Sequence, residues 1–124
     1  MTTNNDSKAS GSSTKEIVLS FIKSLNDEDF KTARNHVNND MKFEGVLASR
    51  NGADAYFEDM KKMMLKYEVI KAFAEGNDVC LLSDVSMQGV TMFACSWYQL
   101  KDGKINLIKV VFDPRPALES SGKK

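Results

Sequence analysis

The chain has 124 residues, enough for one domain with a single core. Its 17 lysines and arginines balance 17 aspartates and glutamates, so the formal net charge is zero and the basic excess of a nucleic-acid binder is missing. No apolar run approaches the roughly 20 residues that cross a bilayer, and the polar start has no secretory stretch, so a cytoplasmic location away from membranes is expected.

Residues 1–13 are rich in Ser, Thr, Asn and Gly and read as a flexible tail. Ser13-Thr14-Lys15-Glu16 has the form of a capping box and predicts the start of a helix. Ile17, Val18, Phe21, Ile22 and Leu25 then fall on one side of it. Asn26 to Asp29 breaks this helix and caps a second, with Phe30, Ala33 and Val37 on its buried side and Asn39-Asp40 closing it. His36 sits near that end, where an imidazolium would suit the helix dipole, and no ligand partner stands at metal spacing. Met41 to Val46 reads as a short strand.

Asn51-Gly52 opens a third helix with Tyr56, Phe57, Met60, Met63, Met64 and Tyr67 on a broad apolar face. Methionines so spaced could suggest a soft metal or an adaptable groove, but a core stripe is their commoner meaning. From Val69 the period changes. Runs at Val69–Ala74, Val79–Met87, Val90–Leu100 and Ile105–Phe112 alternate with the turn signals Gly76-Asn77-Asp78, Gln88-Gly89 and Lys101-Asp102-Gly103. Residues 119–124 again look like a tail, which leaves one domain over 14–118. The predicted class is α+β, in the order α-α-β-α-β-β-β-β, with an antiparallel meander.

Cys80 and Cys95 lie inside strand-like runs. Two cysteines and one histidine are too few for a disulfide framework or a zinc site, so reduced, packed thiols are expected, with no metal and no cofactor.

The turns assign faces. With Gln88-Gly89 as a two-residue loop, Val79, Leu81 and Ser83 oppose Tyr98, Ser96 and Ala94. With Lys101-Asp102-Gly103 as a three-residue loop, Ser96 opposes Ile108 and Ala94 opposes Val110. One face then holds Leu81, Ser83, Val85, Met92, Ala94, Ser96, Tyr98, Ile108, Val110 and Phe112. The other holds Leu82, Asp84, Phe93, Cys95, Trp97, Leu107, Lys109 and Val111. Three helices can cover the first face. The second would leave an apolar patch in water, and a homodimer through Phe93, Cys95, Trp97, Leu107 and Val111 is the simplest cover; a C-terminal segment folded over it is the alternative.

The order of these pieces over residues 14–118 resembles the nuclear transport factor 2-like superfamily and its SnoaL-like branch. The matching pieces are the first helix, Asn26-Asp27-Glu28-Asp29-Phe30, Asp40-Met41-Lys42-Phe43-Glu44-Gly45, Asn51-Gly52, Asp102-Gly103-Lys104-Ile105 and Phe112-Asp113-Pro114-Arg115-Pro116. The resemblance implies a curved sheet wrapped around the helices into a cone, an open pocket at its mouth, and dimerisation through the outer face. The pocket would be lined by Phe21, Phe43, Phe57 and Met64 from the first half, and by Met92, Ala94, Ser96, Tyr98, Val110 and Phe112 from the strands.

Members of the superfamily include cyclases, isomerases, dehydratases, epoxide hydrolases and binders, and the polar residues inside the cone choose among them. The isomerase branch has a helix tyrosine, a central-strand aspartate and a carboxylate after the first strand; here those positions read Phe21, Ser96 and Gly45. The last-strand aspartate of cyclase-like and epoxide-hydrolase-like members reads Val110.

Glu44 and Asp113 are the remaining candidate bases, with Tyr98 as hydrogen-bond donor. Strand parity places Asp113 on the opposite face from the pocket, and Arg115 is at hand to pair with it. Asp84 falls on the outer face. The reading that emerges is a dimeric domain with an apolar pocket for a small organic ligand, touched by Ser96 and Tyr98, without a complete acid–base set. The alternatives are a SnoaL-like cyclase, isomerase or dehydratase without cofactor, and a non-enzymatic association module.

Overall fold

A computed structural model describes the backbone of residues 2–122 and the side chains of 14–116, 118 and 119. Its elements are α1 (Thr2–Asn26), α2 (Phe30–Asn35), β1 (Val37–Glu44), β2 (Ser49–Asn51), α3 (Ala53–Met63), β3 (Lys66–Glu75), β4 (Asp78–Met87), β5 (Val90–Lys101), β6 (Lys104–Phe112) and α4 (Arg115–Gly122).

The apolar stripe of α1 does what its spacing predicts: Val18, Phe21, Ile22 and Leu25 are all buried against the sheet. The Ser13–Glu16 box does not begin the helix, whose backbone is already helical from Thr2. Thr14 Oγ1 instead donates to the Gly76 carbonyl in the β3–β4 turn, 3.1 Å away. The side chains of residues 1–13, where a flexible tail is expected, lie outside the described residues. At the other end Asn26 clips α1 to β3: its Nδ2 donates to the Tyr67 carbonyl (2.9 Å) and its Oδ1 accepts the Tyr67 N–H (2.7 Å).

Asp29 caps α2 through the Thr32 N–H, as its position predicts. The helix is shorter than expected. It stops at Asn35, because the His36 carbonyl accepts from Ile105 N–H (2.8 Å) and Val37 is drawn into a strand beside β6. Burial pushes the His36 imidazole below its ordinary value, against the direction a helix C-terminus would favour.

Six strands form one sheet in the order β2-β1-β6-β5-β4-β3. The antiparallel meander of β3 to β6 is as predicted, but β1 runs parallel to β6, so the sheet is mixed. The short strand β2 was not expected; it hairpins back on β1, with Gly45 N–H bonded to the Ala48 carbonyl at 2.8 Å. The curved sheet and its helices form an α+β cone. The backbone of α4 reaches Gly122, into the residues read as a C-terminal tail, and packs beside β5.

The β4–β5 register is the predicted one, from Val79↔Tyr98 to Met87↔Val90. Gln88 (φ 50°) and Gly89 (φ 84°) both take the left-handed conformation that a tight two-residue hairpin requires. The β5–β6 register differs. Asp102 (φ 55°) and Gly103 (φ 78°) make a two-residue turn, and a bulge follows between Gln99 and Leu100. Ser96 therefore opposes Val110, and Ala94 opposes Phe112. The shorter loop and the bulge displace the pairing by two residues, so every side chain keeps its predicted face.

On the outer face Phe73, Phe93, Trp97 and Val111 remain exposed, at 55%, 55%, 39% and 56%. Among the described residues no helix is long and apolar enough to cross a membrane.

Candidate functional site

The helices cover the inner face of the sheet unequally. Toward the β3–β4 turn, α1 fills the space completely: Val79, Leu81, Ile105, Val37 and Phe21 are at most 1% exposed. Phe21 packs its ring against Tyr56, Phe57 and Tyr98, with centroids 6.3 to 6.5 Å apart. Toward the β4–β5 turn neither α1 nor α3 follows. Helix α3 ends at Met63, and Met64 turns away in a left-handed conformation (φ 53°, ψ 49°), its N–H bonded to the Met60 carbonyl.

What is left is a cavity of about 390 Å³, open at the mouth of the cone. Val85, Met92, Ala94, Ile108, Val110 and Phe112 line it from the sheet, Phe43 from β1, and Met60, Met63 and Leu65 from the end of α3. Val46 and Leu47, in the β1–β2 loop, stand at its rim and are mostly open to water. The polar groups are few. Tyr56, Tyr67, Tyr98 and Ser96 line it with uncharged hydroxyl-bearing side chains; of the charged residues Arg50 Nε meets Asp59 Oδ2 at 2.8 Å, and Lys62 also lines the cavity.

Three tyrosines thus supply most of the interior hydrogen-bonding capacity. Burial pushes the Tyr56 and Tyr67 phenols well up, with Tyr67 and Tyr98 raising Tyr56 further and Tyr98 raising Tyr67. Tyr98 is raised by burial, with a hydrogen bond to Ser96 pulling the other way. All three are therefore neutral at physiological pH and can donate. A cavity with apolar walls and uncharged donors at its floor accommodates a small molecule that presents an oxygen acceptor.

The structure brings seven of the expected lining residues to the cavity: Phe43, Met92, Ala94, Ser96, Tyr98, Val110 and Phe112. Three expected there are elsewhere. Phe21 and Phe57 lie beneath the floor, fully enclosed by the core, and Met64 is 39% exposed because the helix has already ended.

Neither candidate base faces the cavity. Glu44 points to the outer side, 3.5 Å from Lys109 Nζ. Asp113 is exposed and gripped by Arg115 through Nε at 2.9 Å and Nη2 at 2.6 Å, which holds its carboxyl below the usual range. Asp84 is on the outer face, opposite Phe93. Of the expected interface set, Phe93, Trp97 and Val111 are exposed and Cys95 and Leu107 half-buried. Gly45, in the family position for a base, has no room for one: a Cβ there would meet the Phe43 ring at 2.9 Å and the Ala48 carbonyl at 3.2 Å.

Sequence reasoning missed Tyr56, Tyr67, Arg50 and Asp59 as pocket residues. Tyr56 looked like one more apolar member of the α3 stripe, and Tyr67 was counted on that helix although it opens β3, opposite Val85. Its hydroxyl beside a β-branched pair, Val69-Ile70, was a usable signal for a strand. Nothing local links Arg50 to Asp59.

Residues 18–108 match the family model of the SnoaL-like domain. An NTF2-like protein of unknown function from Cytophaga hutchinsonii is 45% identical, the alignment covering 85% of this chain and 94% of that one, with a TM-score of 0.83. An LEH-like epoxide hydrolase from M. tuberculosis (20% identity, 91% and 92% covered, TM-score 0.76) and Bal32a from a soil-derived mobile gene cassette (13% identity, 89% and 97% covered, TM-score 0.82) share the fold. Comparison with curated proteins gives no match.

Proposed function

The chain belongs to the SnoaL-like domain family, within the NTF2-like superfamily, and from its cavity we propose that it binds a small, mostly apolar molecule by a carbonyl or similar oxygen acceptor. The observation that carries this reading is that Tyr56, Tyr67, Tyr98 and Ser96, which bear uncharged hydroxyls, line a largely apolar space of about 390 Å³ whose charged groups are Arg50, Asp59 and Lys62. That volume lies within the range of about 300–1,000 Å³ of small-ligand sites. Four methionines in the lining, Met60, Met63, Met87 and Met92, let the walls adapt to shape. Calorimetric titration with α-tetralone and with tetralin, which lacks only the oxygen, tests it. The ketone is expected to bind roughly tenfold more tightly, since the hydrocarbon leaves the phenols unpaired. Equal affinities, or no saturable binding of either, would sink the reading.

A second reading, acid–base catalysis of the isomerase, cyclase or dehydratase kind, is favoured by one observation: the Asp59 carboxylate lines the cavity. Its engagement with Arg50 is what stands against it. Proton exchange α to the α-tetralone carbonyl, followed by NMR in deuterated water, should be no faster with the protein than without it. Acceleration lost in Asp59→Asn would favour the enzyme.

We further propose that the outer face meets a second copy of the chain, supported by the exposed Phe73, Phe93, Trp97 and Val111. The free Cys80 and Cys95 support a reducing, cytoplasmic compartment. Light scattering after size exclusion at micromolar concentration should give twice the protomer mass; a monomer would refute the dimer and leave the pocket reading intact.

A further inference from the structure

The outer face carries a pair of groups that the pocket does not use, one of which, Cys95, stands among the residues expected to meet a second copy. In the β4–β5 ladder Cys80 opposes Trp97 and Leu82 opposes Cys95, so the two cysteines sit diagonally across neighbouring strands on the same side of the sheet. Strand twist brings one of the two diagonals close. Here it places Sγ of Cys80 3.4 Å from Sγ of Cys95. In the single chain both are half-buried, so reagents can reach them wherever no second copy covers the face, whereas cysteines kept only for packing are among the most buried residues of a protein.

We propose that Cys80 and Cys95 form a reversible dithiol–disulfide couple within one protomer, oxidised by a peroxide and returned by a thiol reductant. A disulfide needs its sulfurs at about 2.05 Å, so the pair must close by roughly 1.4 Å, shared between two side-chain rotations. Hydrogen peroxide takes one thiol to a sulfenic acid and releases water. The other sulfur then attacks it, the S–O bond breaks, and a second water leaves with the thiol proton. Two electrons pass from the two sulfurs to the peroxide. Burial pushes the Cys80 thiol up to about 11, with its neighbour Cys95 adding to the rise, so Cys80 is slow to react as a nucleophile. The inference does not rest on the pocket, which is on the opposite face.

The test uses the full chain, reduced, freed of reductant and exposed to hydrogen peroxide. Remaining thiols are then alkylated with iodoacetamide in denaturant, and the intact mass is measured beside a non-reducing gel. The expected product is a single chain that has lost two hydrogens, takes up no alkyl group, and recovers both thiols with dithiothreitol. In Cys95→Ser the Cys80 sulfenic acid has no resolving thiol and should end in sulfinic acid. Wild-type protein carrying two sulfinic acids overturns the proposal. So does a disulfide that joins two chains, or a Cys95→Ser product that carries no sulfinic acid.

Discussion

At the β3–β4 end of the cone and at the β4–β5 end, the inner face of the same strands presents similar apolar side chains, yet one end is solid and the other hollow. Val79 and Leu81, early on β4, are 1% and 0% exposed; Val85 and Met92, around the next turn, are 8% and 9%. The difference is not one of hydrophobicity. It is the reach of two helices: α1 spans from the Gly76 turn to Tyr67, and α3 stops at Met63. A sheet face becomes a pocket where its helices run out.

Removing bulk at the two ends tests this most severely. Phe21→Ala, in the solid end, should cost about 3–5 kcal/mol in chemical denaturation. Met92→Ala removes a side chain that already has empty space on one side and should cost about 1–2 kcal/mol. Similar losses for the two would mean that the hollow end is packed.

The tyrosines that floor the hollow end give the next effect. They are the only three in the sequence, so absorbance near the phenolate band reports on them alone. Their folded pKa values are raised by burial above the unfolded value of about 10. Folding therefore retains protons that the unfolded chain gives up. The stability they contribute is full below about pH 10 and falls as the pH climbs toward the folded values. Phenolate should appear together with loss of near-ultraviolet dichroism, not before it. Titration of even one tyrosine in the folded protein at pH 10 would show that it faces bulk water.

Tyr98→Phe separates ligand from fold. It keeps the ring that meets Phe21 and deletes only the hydroxyl, so stability should change by about 1 kcal/mol or less, while affinity for α-tetralone falls roughly tenfold. The smallest effect belongs to Asp113→Asn. Its carboxylate is held by Arg115 outside the cavity, so tetralone affinity should stay within about twofold of wild type.

Much of this arrangement was legible in the residues. Alternation along β5, broken by Gln88-Gly89 and Asp102-Gly103, fixed which side chains share a face, and even an incorrect loop length at Asp102-Gly103 left those faces intact because a bulge restored parity. Six lining residues, Met92, Ala94, Ser96, Tyr98, Val110 and Phe112, followed from that alternation. The boundary of α3 did not. Met60, Met63, Met64 and Tyr67 keep helical spacing, so the pattern runs on past the left-handed residue where the helix ends. The partnership of β1 with β6 was equally hidden, since parallel neighbours far apart in the chain share no turn that could announce them. The Arg50–Asp59 rim pair depends on the short strand β2, which pairs Arg50 with Phe43 and which no sequence pattern announced.

The parallel ladder between β1 and β6 also sets an order in time. The hairpins β3–β4, β4–β5 and β5–β6 close over two-residue turns and can form early, whereas Val37 must find Ile105 across nearly the whole meander. Phe43, Gly45 and the rim residues travel with β1, so the cavity is assembled last, after most of the sheet exists. Substitutions in the β4–β5 hairpin should then slow refolding, and those at the β1–β6 seam should chiefly hasten unfolding. On that schedule a ligand meets a finished pocket or none at all.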